Sequence, residues 1–346
     1  MTPRILAAGD HFVLPRLLID ALHRPIASPF DETEMMLPWP LVPFGRIAEV
    51  DEASGDEDQM IEALQGVAIC VTQLAPLTER VLAACPELKL FCIGRGGPVN
   101  ANLDAATRRR VSVSFAPGRN AVATAEHTMA MMLAAMRRIP ETHADLVAAN
   151  WRGDYYMYDR VGPELEGATV GLVGYGAIGS RVARIVEGFG AHVLVYDPFI
   201  SAQQLCEPAE LVSLDELLQR SHIVSLHARA TKDNAGMIGA DQIAIMQRGS
   251  VIVNCARGVL LDYDAVCDAL TTGHLFGAAF DVFPEEPIPA TSRLLSTRGI
   301  VMTPHLAGSS KQTAVNAAET VAAEAARFLR GEALFHCANP TARGPL

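Results

Sequence analysis

Three polar side chains in the second half of the chain are of types that often carry catalysis. Arg257, Glu286 and His305 each come shortly after an apolar, strand-like segment. These segments are Val251–Asn254, Gly277–Asp281 and Ile300–Met302. An imidazole exchanges a proton near neutral pH, a carboxylate beside it stabilises its charged form, and a guanidinium binds carboxylates through paired N–H groups. Because ligands of open α/β sheets bind beyond the carboxyl ends of the strands, we expect the three side chains to converge on one cleft.

Each of these residues, taken alone, also has a structural interpretation. Arg257 is compatible with a helix cap, Glu286 with a solvated loop residue, and His305 with a hydrogen-bonded buried histidine. The combination of the three types beside a nucleotide motif favours catalysis over three separate structural roles.

A glycine-rich turn between a strand and a helix predicts that nucleotide site. The apolar run Val170–Val173 leads into Gly174-Tyr175-Gly176-Ala177-Ile178-Gly179, and the helix Ser180–Phe189 is predicted to follow. The next predicted strand, His192–Tyr196, ends at Asp197. This full strand–turn–helix–strand context, with an acidic residue at its end, is typical of dinucleotide binding.

The glycines of this turn have distinct physical roles. Gly174 permits a tight turn, Gly176 lets the backbone approach a pyrophosphate, and Gly179 lets the helix and strand pack closely. The helix N-terminus offers N–H groups and partial positive charge to the phosphates. Asp197 would accept hydrogen bonds from the ribose hydroxyls and repel a 2′-phosphate, which favours NAD over NADP. Glycines that serve packing alone, in a fold without a nucleotide, are the alternative.

The elements that must position these residues alternate between strand and helix, which predicts parallel α/β sheets. In the first part of the chain the predicted strands are Ile5–Ala8, Val67–Val71, Lys89–Ile93 and Val111–Phe115, and the predicted helices are Val13–His23, Thr78–Ala84 and Leu103–Thr107. In the second part the further strands are Thr169–Val173 and Ile223–Leu226. The Ala-rich segment Ser309–Arg330 predicts a helix that returns to the first domain, which would make that domain discontinuous.

Other segments connect these elements. Ser28–Pro43 contains four prolines and predicts a surface excursion, and Asp51–Asp58 predicts an exposed acidic loop. Pro117-Gly118 is a plausible hinge. Ala121–Arg138 predicts one long helix with almost no polar face, which we expect to be buried between domains or between subunits.

The composition excludes several classes of protein. With 346 residues, 50% of them hydrophobic, the chain predicts two domains with a sizeable core. The net charge of −11 makes nucleic acid an improbable partner, and no apolar run is long enough to span a membrane. The N-terminus lacks the pattern of a secretory signal. The seven cysteines include no C-x-x-C pair, so we expect reduced thiols in a cytoplasmic protein and no metal site.

These motifs resemble the NAD-dependent, D-isomer-specific 2-hydroxyacid dehydrogenase family, which includes phosphoglycerate dehydrogenase and glyoxylate/hydroxypyruvate reductase. The resemblance runs from about Leu88 to Gln312 and rests on Gly174–Gly179, Asn254–Gly258, Asp281–Pro287, Thr303–Gly308 and the helix region Asn120–Arg138. It implies an α/β protein of two doubly wound domains. A Rossmann NAD-binding domain would span 118–305, and a discontinuous flavodoxin-like substrate domain would comprise 1–117 and 306–346.

The resemblance also implies roles for individual residues. His305 would be the acid/base that protonates the keto oxygen, Glu286 its partner, and Arg257 the residue that binds the substrate carboxylate; Asp281 would lie beside the nicotinamide carboxamide. The residues implied to bind NAD are Gly174, Tyr175, Gly176, Ala177, Ile178, Gly179, Asp197, His227, Thr124, Cys255, Ala256, Asp281 and Gly308. Those implied to bind substrate are Arg95, Gly96 and Gly97. A homodimer is the expected assembly.

Two positions depart from the pattern of the family. The loop Gly94–Asn100, whose backbone N–H groups would bind the substrate carboxylate, contains Pro98, which has no N–H. Arg95 either points into the cleft or braces this loop. Arg229 stands where the family usually has a proline, in a loop that borders the cofactor, and either contacts the adenosine or faces solvent.

The predicted function is hydride transfer between NAD(H) and a 2-hydroxy acid or 2-keto acid. With only 16 residues after Arg330, we expect no C-terminal regulatory domain, which favours small substrates such as glyoxylate or hydroxypyruvate. A phosphite-type dehydrogenase of the same superfamily and an NAD-sensing, corepressor-like binding protein are the alternatives. A formate enzyme is disfavoured because Glu286 stands where such enzymes have a glutamine. Turnover of NADH with 2-keto acids would distinguish an enzyme from a sensor.

Overall fold

The computed structural model of the chain describes residues 2–40, 45–206 and 208–342. The chain divides into two compact units: unit 1 comprises Met1–Asn120 with Ser309–Leu346, and unit 2 comprises Ala121–Gly308. Both boundaries lie three residues further along the chain than those expected from the sequence, 120 against 117 and 308 against 305.

Within the described residues the elements alternate along the chain. The strands are β1 (Arg4–Gly9), β2 (Asp31–Met36), β3 (Ile69–Thr72), β4 (Leu90–Ile93), β5 (Ser112–Phe115), β6 (Thr169–Val173), β7 (His192–Tyr196), β8 (Glu210–Leu211), β9 (Ile223–Leu226), β10 (Ser250–Asn254), β11 (Leu275–Phe280) and β12 (Ile300–Met302). The α-helices are α1 (Pro15–Leu22), α2 (Glu57–Ala63), α3 (Glu79–Ala84), α4 (Leu103–Arg108), α5 (Ala121–Met136), α6 (Ile139–Val147), α7 (Gly179–Gly188), α8 (Leu214–Arg220), α9 (Ala240–Ala244), α10 (Tyr263–Thr271) and α11 (Lys311–Leu329). Short 3₁₀ turns cover Gly153–Tyr156, Ala202–Gln204, Gly258–Leu260, Arg293–Leu295 and Pro340–Ala342.

Unit 1 is built on a parallel sheet of order β2-β1-β3-β4-β5. This is the flavodoxin-like order, in which the direction of strand addition reverses between β1 and β3. The Ala-rich helix α11 packs on one face of this sheet, where Ala317 and Val321 join the apolar cluster around β1, β3 and β4. The return of α11 to the first unit confirms the discontinuous fold predicted from the sequence.

The prediction for Ser28–Pro43 is wrong in part. Its segment Asp31–Met36 is not an excursion but the edge strand β2, in parallel register with β1 from Arg4↔Asp31 to Gly9↔Met36. An edge strand exposes acidic side chains such as Glu32 and Glu34 to solvent, so it lacks the apolar run typical of a buried parallel strand. Residues 41–43 of that segment lie outside the described residues.

The predicted acidic loop Asp51–Asp58 also holds an unforeseen element. Helix α2 begins inside it, at Glu57. The side chain of Asp56 accepts a hydrogen bond from the backbone N–H of Gln59 at 2.8 Å, which caps the helix N-terminus. The acidic residues here therefore start a helix as well as facing solvent.

Unit 2 is built on a parallel sheet of order β12-β11-β10-β9-β6-β7-β8. One face carries α5 and α7, and the other carries α8 and α10. The order reverses between β9 and β6, as in the Rossmann fold, which confirms the predicted doubly wound architecture. In the described parts of the chain, no helix is both long and apolar enough to cross a membrane.

Helix α5 is shorter than predicted and is a core element of unit 2. It ends at Met136 and packs against α7, β10 and β11. Buried residues such as Met132 and Ala135 contribute to the apolar cluster on that face of the sheet. Packing within unit 2 therefore explains much of its apolar character, although Val122 is 52% exposed.

Candidate active site

The three predicted catalytic residues lie in loops that follow three neighbouring strands of the unit 2 sheet. β10, β11 and β12 are adjacent and parallel, with register pairs Asn254↔Phe280 and Phe280↔Met302 at their carboxyl ends. The loops that carry Arg257, Glu286 and His305 therefore start at the same edge of the sheet. The sequence predicted this arrangement from the order of the segments alone.

His305 and Glu286 form a hydrogen-bonded pair. Nδ1 of His305 lies 2.7 Å from Oε2 of Glu286, while Oε1 of the same carboxylate accepts the backbone N–H of Phe283 at 2.9 Å. Burial alone would raise the pKa of Glu286. The hydrogen bonds from His305 and Phe283, with the charges of His305 and Arg257, instead bring that pKa below its ordinary value. Glu286 is therefore a carboxylate at neutral pH, and it orients an imidazole whose side chain is 52% exposed.

Asn254 holds the segment that presents Arg257. Its Nδ2 donates to the carbonyl oxygen of Arg257 at 2.9 Å, and its Oδ1 accepts the N–H of Ala256 at 3.0 Å. The guanidinium donates to the carbonyl oxygen of Ala256 at 2.6 Å and is close enough to Glu286 to lower the pKa of that carboxyl group. The structure thus brings the three predicted catalytic residues together.

Gly258, which the sequence analysis named only as the last residue of the Asn254–Gly258 motif, lies where two loops of the candidate site come close together. A Cβ at this residue would lie 2.0 Å from the carbonyl oxygen of Phe283 and 2.6 Å from the nitrogen of Pro284. Only glycine allows the loop after β10 to approach the loop after β11 this closely. The available signal was a glycine directly after Arg257.

Asp281 is a buried hub that holds the loop of His305. Its Oδ1 accepts hydrogen bonds from Thr303 Oγ1 at 2.6 Å and the N–H of Leu306 at 2.7 Å, and its Oδ2 accepts the N–H of Ala307 at 2.8 Å. His127 Nε2 lies 3.5 Å from Oδ1. The structure therefore gives Asp281 a positioning role, and its placement beside the nicotinamide carboxamide stays a prediction.

The glycine turn fits a dinucleotide. Gly174 has a φ of +102°, and a Cβ on it would lie 2.7 Å from the nitrogen of Ala228. A Cβ on Gly179 would lie 2.2 Å from the carbonyl oxygen of Gly174, whereas a Cβ on Gly176 would have nothing within 4 Å. The first and third glycines are thus required by the turn and its packing, and the second leaves an open backbone surface, as a pyrophosphate requires.

Two further features of this turn suit the cofactor. The N-terminus of α7, between Ile178 and Gly179, has no side-chain cap, so no side-chain acceptor competes there with phosphate oxygens. Asp197, at the end of β7, accepts the N–H of Tyr175 at 2.8 Å through Oδ2 and the N–H of Phe199 at 3.0 Å through Oδ1. Asp197 therefore braces the turn, and its carboxylate oxygens keep lone pairs for ribose hydroxyls.

The remaining residues expected at the cofactor also lie in unit 2. Thr124 lies on the buried face of α5, Cys255 and Ala256 follow β10, and Gly308 ends the His305 loop. Burial lowers the pKa of His227 to about 4, and its Nε2 is 3.0 Å from Ser225 Oγ. The imidazole of His227 is therefore neutral. Burial likewise raises the pKa of Cys255 to about 12, so this thiol is not a nucleophile at neutral pH.

The predicted substrate loop belongs to unit 1, after β4. Arg95 is ion-paired with Glu52 and also donates from Nη1 to the Glu52 carbonyl oxygen at 3.2 Å, so it braces the loop. Gly96 and Gly97 have open space where a Cβ would stand. Pro98 contributes its carbonyl oxygen, which accepts the N–H of Ala101 at 3.2 Å.

Two other expectations concern Arg229 and metals. Arg229 is exposed, and its carbonyl oxygen accepts a hydrogen bond from Asn234 Nδ2 at 2.7 Å. In the described ranges, no three His, Cys, Asp or Glu side chains are grouped so that they could hold a metal ion.

Comparison with known proteins adds independent findings. Residues 129–307 match the sequence model described as "D-isomer specific 2-hydroxyacid dehydrogenase, NAD binding domain". A D-3-phosphoglycerate dehydrogenase of Mycobacterium bovis is 39% identical over 303 residues, which cover 86% of this chain and 56% of that protein. The chain thus spans about half the length of such relatives. A glyoxylate reductase of Korarchaeum cryptofilum is 35% identical over 284 residues, 82% of this chain and 86% of that protein.

Solved structures share the fold over nearly the whole chain. A protein from Thermus thermophilus superposes with a TM-score of 0.78 at 26% identity, covering 97% of this chain and 99% of the other. A D-2-hydroxyisocaproate dehydrogenase superposes with a TM-score of 0.79 at 22% identity, covering 97% and 99%. The two-unit α/β architecture is therefore shared with these proteins.

Proposed function

The chain belongs to the D-isomer-specific 2-hydroxyacid dehydrogenase family, and on that premise we propose that it transfers a hydride between NAD(H) and a 2-hydroxy acid or the corresponding 2-keto acid. The observation that carries this proposal is the His305–Glu286 pair, with Arg257 beside it, at the carboxyl edge of the sheet that also bears the glycine turn.

In this proposal Arg257 binds the substrate carboxylate and polarises the adjacent carbonyl. A guanidinium presents several N–H donors in a rigid plane, which suits both tasks. Asn254 holds the backbone of this segment on both sides of the Ala256–Arg257 peptide, and Nη1 of Arg257 donates to the carbonyl oxygen of Ala256. A fixed donor set is worth more than a mobile one because it needs no reorganisation as charge develops on the carbonyl oxygen.

His305 moves the proton. Its Nδ1 is bonded to Glu286, which leaves Nε2 as the atom that donates to the carbonyl oxygen during reduction and accepts the hydroxyl proton during oxidation. NAD(H), when bound, supplies or accepts the hydride at the substrate carbon. In reduction one hydride and one proton therefore convert the C=O group into CH–OH, and Glu286 stabilises the charged imidazolium that precedes the transfer.

NAD rather than NADP is the cofactor that these residues favour. Gly174–Gly179 and the uncapped N-terminus of α7 would hold the pyrophosphate, and Asp197 would bind the ribose hydroxyls. A 2′-phosphate would bring its negative charge towards the carboxylate of Asp197.

Glyoxylate, hydroxypyruvate and similar small 2-keto acids are the proposed substrates. One relative is named a glyoxylate reductase, and others are named D-3-phosphoglycerate dehydrogenases. Both names describe acids with an oxidised or oxidisable carbon next to a carboxylate, which Arg257 and His305 would serve in the same way.

A homodimer is the proposed assembly. The segment after α5 in unit 2 exposes large apolar side chains: Ile139, Val147, Trp151, Tyr156 and Tyr158, of which the last is 91% exposed. A series of exposed apolar side chains of this size is typical of a protein–protein interface. Light scattering of the purified protein would measure the mass directly, and a Trp151→Ser variant would shift it towards the monomer if this segment holds the dimer.

A cytoplasmic location is proposed because the cysteines form no disulfide bonds. All seven are free thiols, and Cys70, Cys85, Cys92, Cys255 and Cys267 are buried. Free cysteines persist in reducing compartments, whereas proteins of oxidising compartments more often form disulfides.

The experiment that tests the proposed function is a panel of 2-keto acids assayed with NADH and with NADPH. We expect loss of NADH absorbance with at least one acid, and slower loss with NADPH. Arg257→Ala should abolish turnover while NADH binding, followed by its fluorescence, is retained. NADH binding without turnover of any acid would instead indicate a sensor, and loss of NADH affinity in Arg257→Ala would show that its role is misassigned.

A further inference from the structure

A buried tyrosine of unit 2 lies between the loops that carry the proposed catalytic residues. Tyr263 is the first residue of α10, and its ring packs edge-on against the ring of Phe280, with the ring centres 4.8 Å apart. Only 6% of the surface of Tyr263 is exposed. A phenylalanine would fill the same apolar space, so packing alone does not account for the hydroxyl group. A buried tyrosine hydroxyl group is usually explained by what it binds.

The hydroxyl group of Tyr263 joins two loops of the candidate site. It accepts a hydrogen bond from Asn254 Nδ2 at 3.1 Å and donates one to the Val282 carbonyl oxygen at 2.6 Å. Asn254 holds the segment of Arg257 after β10, whereas Val282 lies in the loop after β11 that leads to Glu286. Burial, aided by the nearby charge of Glu286, raises the pKa of Tyr263 well above its ordinary value. The hydroxyl group is therefore protonated at neutral pH and remains a donor.

The peptide unit between Val282 and Phe283 passes this contact on to the acid/base pair. Its carbonyl oxygen accepts the hydrogen bond from Tyr263, and its N–H donates to Oε1 of Glu286 at 2.9 Å. Because a peptide unit is planar, a contact that fixes its oxygen also fixes the direction of its N–H. Oε2 of the same carboxylate lies 2.7 Å from Nδ1 of His305. The hydroxyl group of Tyr263 is thus connected to the imidazole of His305 through one peptide unit and one carboxylate.

The direction of these hydrogen bonds favours the charged form of Glu286. Asn254 donates to the hydroxyl group of Tyr263, the hydroxyl group donates to the peptide oxygen, and the peptide N–H donates to the carboxylate. Hydrogen bonds that follow one another in this way polarise and strengthen each other. The last of them ends on an ionised oxygen, where a hydrogen bond is stronger than between neutral groups. Without the hydroxyl group, the peptide would present a weaker and less well oriented N–H to Glu286.

We propose that Tyr263 is a positioning residue of the acid/base site, whose hydroxyl group orients the Val282–Phe283 peptide so that this peptide holds Glu286 in place for His305. This inference rests on the proposed function, in which Glu286 stabilises the charged imidazole. Tyr263 acts through the backbone of the loop after β11, and it therefore affects proton transfer rather than the binding of NAD(H).

Tyr263→Phe tests the proposal, because it removes one oxygen atom and keeps the ring against Phe280. We expect kcat for the best 2-keto acid to fall by roughly tenfold, the equivalent of about 1.4 kcal/mol, which the loss of one or two hydrogen bonds can supply. KM for the acid and Kd for NADH should change by less than about threefold, less than a typical hydrogen bond contributes. A loss that appears in KM or in NADH affinity while kcat is kept would overturn the proposal.

Two control variants separate positioning from a general loss of stability. Tyr155→Phe also removes a tyrosine hydroxyl group, one that binds Asp145 in the segment after α5. Val266→Ala removes buried apolar atoms from the same helix as Tyr263, and the cavity should lower its resistance to urea. Both controls should keep nearly wild-type kcat. A Val266→Ala enzyme that loses as much kcat as Tyr263→Phe would show that the stability of α10, and not the hydroxyl group, sets the rate.

The pH dependence of kcat/KM is a readout that a merely structural role would not move. Burial raises the pKa of Glu286, whereas the hydrogen bonds from His305 and Phe283 and the charges of His305 and Arg257 lower it. A weaker hydrogen bond from Phe283 raises that pKa. The acid limb of the profile should therefore move to higher pH in Tyr263→Phe and stay in place in both controls. An acid limb that does not move would show that Tyr263 does not act on Glu286.

A double-mutant cycle of stability separates this proposal from the proposed function, because it needs no turnover. Urea denaturation at neutral pH compares wild type, Tyr263→Phe, Glu286→Gln and the double variant. The effect of Tyr263→Phe on the unfolding equilibrium constant should be about threefold or more larger with Glu286 present than with glutamine there, since members of one hydrogen-bond network are not additive. Non-additive effects in a protein that reduces no 2-keto acid would leave the network standing and remove the proposed function. Turnover with additive effects would remove the positioning role and leave the function.

Discussion

Gly258→Ala should disturb the geometry of the acid/base site while leaving its catalytic side chains in place. It therefore measures how much of the activity depends on that geometry. The added Cβ would stand 2.0 Å from the Phe283 carbonyl oxygen, 2.1 Å from its carbon and 2.6 Å from the Pro284 nitrogen. All three are backbone atoms, so no side-chain rotation relieves the overlap. An ordinary contact begins at 3.4 Å, and the loop after β11 must therefore move by roughly 1.4 Å, the difference from 2.0 Å.

This displacement reaches the proposed proton donor through two successive hydrogen bonds. Phe283 N–H binds Oε1 of Glu286, and Oε2 of that carboxylate binds His305. A misplacement of about 1 Å in a catalytic group can lower a rate by about 10²-fold, and overpacking typically costs about 1–3 kcal/mol of stability. We expect Gly258→Ala to lose about 10²-fold in kcat while its NADH affinity changes little.

The assay is steady-state NADH oxidation with the best 2-keto acid, beside urea denaturation and NADH fluorescence titration. Gly188→Ala is the matched control, because nothing lies within 4 Å of a Cβ there and the residue ends α7. It should keep full activity and gain up to about 1 kcal/mol. A Gly258→Ala enzyme with nearly wild-type kcat would refute the inference that close approach of the two loops sets the geometry of Glu286.

Three more predictions concern single carboxylates. The pKa of Glu286 lies below its ordinary value of 4.5, so its contribution to stability is present above that pH and is lost as the pH falls through the folded-state pKa. Wild type should therefore exceed Glu286→Gln in urea resistance at neutral pH, and the difference should shrink as the pH is lowered through that folded-state pKa; a difference that does not shrink in acid would contradict this. Asp197→Ala should raise the NADPH/NADH ratio of kcat/KM by roughly tenfold or more, since one charge repulsion and the ribose hydrogen bonds are lost together; an unchanged ratio would show that another residue selects the cofactor. Asp281→Asn replaces one acceptor oxygen with an NH2 group, which then faces either the donors of Thr303 and Leu306 or that of Ala307, and urea denaturation should show a loss of about 1.5–3 kcal/mol for each hydrogen bond broken; unchanged stability would show that these hydrogen bonds of Asp281 are dispensable.

The sheet of unit 2 was predictable from the sequence to within one or two residues at most strand ends. Its strands are buried on both faces, so each reads as a short apolar run, as in Thr169–Val173 and Ile223–Leu226. The convergence of Arg257, Glu286 and His305 followed from the same pattern, because neighbouring parallel strands end at one edge. Local sequence therefore determined which side chains could meet.

Elements that depend on distant partners were not predictable in this way. β2 forms through its parallel pairing with β1, and its acidic side chains hide the apolar pattern by which a strand is recognised in a sequence. The two-residue strand β8 exists only through pairing with β7, and α6 begins at Ile139, directly after Arg138 in the left-handed region. A period of two or of 3.6 residues cannot be recognised in segments this short or this polar.

Contacts within the site between residues that are far apart in sequence were not predictable either. Arg95 is paired with Glu52, 43 residues away in sequence. The close approach at Gly258 is likewise a contact between loops separated by a strand and a helix. Sequence reasoning named Arg95 as a substrate residue because of its place in the loop.

The backbone conformation of His305 limits which substitutions are suitable for making an inactive enzyme that traps bound substrate. Its φ is +54°, a region that most side chains avoid and that asparagine, aspartate and histidine tolerate best. An alanine or valine there would tend to relax the loop, so a dead enzyme made in that way would confound lost chemistry with a rearranged backbone. His305→Asn is therefore the substitution to choose for soaking or co-crystallising an abortive ternary complex.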